Sequence, residues 1–266
     1  MLLAGVLAAE LVVAIAVAVP SRPGPKDPAP LVVGDRAVRV VNDGGPATEP
    51  VRSGVVADIG TAIARVEAFW GADWSRDVTI LIAGSDRQFL AAAGGETQGQ
   101  WADIAAVTVA DSVDPARRIA VGQRIVFAPG AARMSPFALR IVLTHELFHY
   151  AARADTGLDA PRWLAEGVAD FVARPAAALP AGAASAASRL PADTDLDASG
   201  QARSSGYDRA WWFARFVADT HGAAALRALY IAACGANRTD LPTAVRDVLG
   251  TDLAGLLAAW RQWLAR

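Results

Sequence analysis

Apolar residues recur along this chain in two registers, and the change from one to the other marks out its elements. Between residues 53 and 70, Ile59, Ile63, Val66 and Trp70 fall at helical spacing, which predicts an amphipathic helix buried on one face. Val78-Thr79-Ile80-Leu81-Ile82 is short, apolar and partly β-branched, the pattern of a buried strand. Residues 38–41, 104–109 and 123–127 predict further extended segments, the last running into the turn-rich Ala128-Pro129-Gly130. Ser135-Pro136 supplies a capping hydroxyl followed by proline at the first helical position, so a helix is expected from there to about Ala152. A second helix is expected from Pro161 to about Val172. Residues 175–206 are rich in Ala, Ser, Pro and Gly with few large apolar side chains, a long connection expected to be flexible or lid-like. Helical patterns return from Tyr207, with Trp212, Phe213 and Phe216 in the first and Leu253, Leu257, Trp260 and Leu264 in the last. No internal repeat is visible, which argues against a solenoid.

These patterns predict an α+β fold: a small mixed β-sheet carrying a helix, followed by a helical C-terminal subdomain. The expected divisions are an N-terminal targeting segment at 1–19, a proline-rich linker at 20–30, an α/β upper subdomain at 31–134, two helices at 135–172, a flexible loop at 173–206 and the C-terminal helices at 207–266. Residues 2–19 are almost unbroken apolar sequence with Glu10 as the only charge, long enough at helical rise to span a bilayer. Ala16-Val17-Ala18 offers a cleavage site, so a secretory signal and an uncleaved membrane anchor are both open. Either places the remainder outside the cytoplasm.

Charge and cysteine content remove whole classes of function. Across 266 residues, 25 Lys and Arg stand against 27 Asp and Glu, a net charge of −2 that provides no basic field for nucleic acid. The single cysteine, Cys234, cannot form an internal disulfide or a thiolate metal site and is expected to be a buried apolar thiol.

The chemistry concentrates in Thr144-His145-Glu146-Leu147-Phe148-His149. Two histidines four residues apart lie about 40° apart around a helix axis, so both imidazoles can reach one ion. Glu146 sits one step from His145, placed to take a proton from water whose pKa a zinc ion lowers to about 7. Catalytic zinc requires a third protein ligand, and Trp163-Leu164-Ala165-Glu166-Gly167 presents a carboxylate on the following helix, 17 residues beyond His149. One turn further, Asp170 is placed to accept the outer N–H of a ligating imidazole and fix its tautomer. One zinc ion per chain, held by His145, His149 and Glu166 with Glu146 as general base, is the expectation.

HELFH followed by WLAEGVADF resembles the two signature helices of gluzincin metallopeptidases, in particular the compact bacterial branch called the peptidase MA-like family. Ser205-Gly206-Tyr207-Asp208-Arg209-Ala210-Trp211-Trp212-Phe213, closed by Thr220-His221-Gly222, is similar to that family's downstream helix, which opens with a tyrosine. The likeness covers roughly residues 75–235. It implies a small sheet above the active-site helix, a helical lower subdomain, and a peptide or protein substrate lying along an edge strand, for which residues 104–109 are the candidate. It also implies Zn2+-dependent peptide hydrolysis. No GxMEN-type exopeptidase sequence precedes the zinc helix, so aminopeptidase activity is not carried over.

Tyr207 at the mouth of such a site could donate to a developing oxyanion, or serve as a core aromatic with a solvated hydroxyl. His221, beside Gly222, is expected to lie at a helix end. Trp211 and Trp212 are expected in the core. An alternative of a different class remains, a zinc-stabilised binding or scaffold protein without turnover, against which the retention of Glu146 argues.

Overall fold

The computed structural model describes residues 29–94, 104–186 and 189–266. The protein is mixed α/β with a small mixed sheet and a helix-rich C-terminal part. The targeting segment expected at 2–19, and the linker up to residue 28, lie outside the described residues. Among the described residues no helix is long and apolar enough to cross a membrane. The chain divides into two compact units after Ala154.

In the first unit a five-stranded sheet has the order β1 (Leu31–Val33), β2 (Arg36–Asn42), β3 (Asp77–Ile82), β7 (Arg124–Phe127), β4 (Ala106–Val109). β2, β3 and β7 run parallel, whereas β1 and β4 are antiparallel to their neighbours. Burial alternates along β3, where Val78, Ile80 and Ile82 are fully enclosed, the period-two signature that made this segment legible in the sequence. A separate hairpin, β5 (Ser112–Asp114) with β6 (Ile119–Val121), carries no apolar pattern strong enough to announce it.

Two long helices cover one side of this unit. Helix α1 (Glu49–Trp70) buries Val51, Val55, Ile59, Ala62, Ile63, Val66 and Trp70, the stripe expected, and starts four residues earlier than the pattern suggested. It packs along α3 (Pro136–Ala152), where Trp70 meets Phe148 edge to face at 5.7 Å and a Cβ on Gly54 would come within 2.5 Å of the Leu139 side chain. Ser135 caps α3 as expected, its hydroxyl accepting from the Ala138 amide at 3.2 Å. The Tyr150 hydroxyl donates to the Asp77 carbonyl at 2.9 Å, tying the far end of α3 to β3. The short helix α2 (Asp86–Ala93) caps a second apolar cluster, in which Phe89 and Ala93 pack with Val107, Val109 and Val126.

The second unit is helical. α4 (Arg162–Ala173) lies against α7 (Gly200–His221), followed by α8 (Ala223–Cys234), α9 (Leu241–Leu249) and α10 (Leu253–Leu264). Phe213 is fully buried at its centre, with Trp163, Trp260 and Phe216 rings at 5.2, 5.7 and 6.2 Å. Trp211, Trp212 and Cys234 are buried, as expected.

The stretch expected to be a flexible loop at 173–206 is different. It contains two single-turn helices, α5 (Ala183–Ala186) and α6 (Asp193–Leu196), and α7 begins at Gly200 rather than at Tyr207. Leu196 is buried, Asp195 pairs with Arg189 and Arg209, and Asp193 accepts from the Trp163 amide at 2.8 Å, capping α4 from a distance. The Arg209 and Trp163 anchors join residues 14 and 30 positions apart, beyond what a local compositional pattern can register.

Candidate metal centre

Every side chain on α3 from Val142 through Ala152 is buried, so His145, Glu146 and His149 stand in an apolar interior. Burying charged or polar groups there carries a free-energy cost unless coordination or hydrogen bonds offset it. The Nε2 atoms of His145 and His149 face each other at 3.1 Å, with the rings nearly perpendicular at a centroid distance of 4.8 Å. This is the consequence of i, i+4 placement on one helical face.

Glu146 is contacted from the sheet. The Thr108 hydroxyl on β4 lies 2.8 Å from Glu146 Oε2 and 2.8 Å from the Glu146 carbonyl oxygen. Thr108 is itself buried, and β4 ends the sheet order as expected of an edge strand, but all four of its residues are buried, so its edge is not open to a substrate; the strand instead meets the helix at its candidate base. Nothing in the sequence singled out Thr108. Threonine is an ordinary strand residue, and Ala-Val-Thr-Val presents it as one.

On α4, Glu166 is fully buried and Asp170 nearly so. Asp170 Oδ2 accepts from Arg174 Nη1 at 3.1 Å, and Arg174 Nη2 reaches Asp208 Oδ1 at 3.0 Å while its guanidinium stacks over Trp211 at 3.7 Å. That network orients the carboxylate one turn beyond Glu166. The crossing of α4 and α7 is tight at Gly167, whose motif position the sequence displays but whose purpose it does not: any Cβ there would meet the backbone of Ala210.

Tyr207 is buried within the same helical unit, two turns into α7. Its phenol is pushed well above its ordinary pKa, first by burial and then by the negative charge of Glu166, so it is held in the neutral, hydrogen-donating form. His221 is exposed as the last residue of α7, where Gly222 turns the chain at φ 91° and its amide closes on the Ala218 carbonyl. Fourteen residues of helix put it about 21 Å along the axis from Tyr207.

The ligand atoms of His145, His149 and Glu166 all lie within 4.8 Å of one another, a buried group that could hold a metal ion. Tetrahedral bonds of about 2.0–2.1 Å set neighbouring donor atoms about 3.4 Å apart, close to the 3.1 Å of the imidazole pair. Two imidazoles and one carboxylate, with no thiolate, form a donor set suited to catalytic zinc. No protein-family model matches this chain, and no curated protein matches it either.

Proposed function

We propose that this protein is a zinc-dependent hydrolase that cleaves peptide bonds, with zinc held by His145, His149 and Glu166. The observation carrying the proposal is the buried His145, His149 and Glu166 group beside a separately held Glu146. A site built only to brace the fold needs ligands and no base. Here a carboxylate next in sequence to a ligand is positioned by a hydrogen bond of its own.

Zinc, when bound, supplies Lewis acidity that lowers the pKa of water and polarises a carbonyl. The remaining work belongs to the chain. Glu146 takes the proton from the attacking water and returns it to the departing amine. Asp170, itself steadied by Arg174, orients a ligating imidazole. Tyr207, kept protonated by its surroundings, donates to the oxygen on which negative charge develops. The substrate is a peptide or protein; residues 2–19 would deliver the enzyme outside the cytoplasm, membrane-attached if that segment is retained.

The test combines metal analysis of the purified protein with digestion of a mixed peptide library in the presence and absence of a chelator. About one zinc per chain and cleavage abolished by the chelator are expected. Zinc bound with no peptide cleaved would instead favour the scaffold alternative, and absence of metal binding would sink the site altogether.

A further inference from the structure

β4 is a short, wholly buried strand of sequence Ala-Val-Thr-Val, and its side chains alternate between two faces. Val107 and Val109 enter the apolar cluster with Phe89 and Ala93 of α2. Ala106 and Thr108 therefore face the other side, where α3 lies. At that position Val would keep the β-branched shape and be an equally good strand former without a polar atom to bury. The chain instead places a hydroxyl there, and its oxygen sits 2.8 Å from both the carboxylate and the backbone carbonyl of one residue, Glu146.

We infer that Thr108 is a positioning residue for the general base: its hydroxyl holds the Glu146 carboxylate in the orientation that proton transfer requires and locks strand β4 to α3 at that level. The inference rests on the proposed hydrolase function and goes beyond it, because none of the zinc-binding or reacting groups includes this strand. A hydroxyl has one proton and rotates freely about its C–O bond. Both acceptors belong to the same residue, and the charged carboxylate is the stronger of the two, so donation to it is what fixes its orientation.

The experiment uses the full-length protein and two substitutions, Thr108→Val and Thr108→Ser. Loss of a hydrogen bond to a charged group corresponds to about ten- to a hundredfold, so kcat on a cleaved library peptide should fall by that factor in Thr108→Val while KM and zinc content stay unchanged. Thr108→Ser should recover most of kcat. A purely structural threonine predicts the reverse order, since valine keeps the branched shape and serine does not. A second readout does not depend on turnover: melting temperatures of the parent, Thr108→Val, Glu146→Ala and the double variant form a cycle. Thr108→Val should lower Tm by several degrees when Glu146 is present and by clearly less in the Glu146→Ala background. Unchanged kcat in Thr108→Val, equal losses in the valine and serine variants, or an additive cycle would each overturn the inference. If the parent cleaves nothing with or without chelator, the hydrolase reading fails, and the cycle alone then decides whether Thr108 holds Glu146.

Discussion

A Cβ at Gly167 would lie 2.5 Å from the carbonyl oxygen of Ala210, so α4 and α7 cross with the backbone of one against the backbone of the other. This closeness at the residue next to Glu166 is what allows Tyr207, less than one turn before Ala210, to feel the charge of that carboxylate.

Gly167→Ala should therefore loosen the crossing. Overpacking against backbone, which cannot rotate away, typically costs about 1–3 kcal/mol. Denaturant unfolding should show a lowered midpoint with an unchanged slope, and zinc should bind more weakly as Glu166 shifts. A variant as stable as the parent would mean the helices separate more readily than their packing implies.

His149→Ala removes one of two imidazole nitrogens that face each other at 3.1 Å. Metal content should drop from about one zinc per chain to a small fraction after dialysis against a weak chelator, with the far-ultraviolet circular dichroism retained. Equal zinc in parent and variant would show that the ion, if any, is held elsewhere.

Glu146→Gln keeps the shape of the side chain and its ability to accept from Thr108, while removing the basicity needed for proton transfer. Zinc stoichiometry should be preserved and turnover nearly abolished. Hydrolysis at the parent rate by this variant would falsify the assignment of the base.

Tyr207→Phe should reduce kcat by about a hundred- to a thousandfold, the usual loss for one oxyanion donor, with KM and zinc content little altered. Because burial and Glu166 raise its pKa, the phenol stays protonated through neutral and mildly alkaline pH, and the parent's kcat should show no alkaline decline from this group in that range. His221→Ala, at an exposed helix end about 21 Å along α7, should change stability slightly and kcat not at all. The opposite kinetic pattern would transfer the donor role to the histidine.

Local periodicity and local capping were enough to locate β3, α1 and α3, because the causes lie within a few residues: alternation in Val78, Ile80 and Ile82, the stripe from Ile59 to Trp70, and Ser135 ahead of Pro136. The spacing of His145 and His149 likewise determined, through helix geometry alone, that their nitrogens would face one another. Three features were decided only by tertiary structure. Thr108 reaches Glu146 across 38 residues, Asp193 caps α4 from 30 residues away, and Gly167 is required by a helix that begins 33 residues later. Each depends on which surfaces meet after the chain has folded, and threonine, aspartate and glycine are common enough in strands, loops and helices that nothing nearby distinguishes these three. The sequence by itself determined which side chains could do chemistry; the packing decided how the base is held and how closely the helix bearing Glu166 is approached.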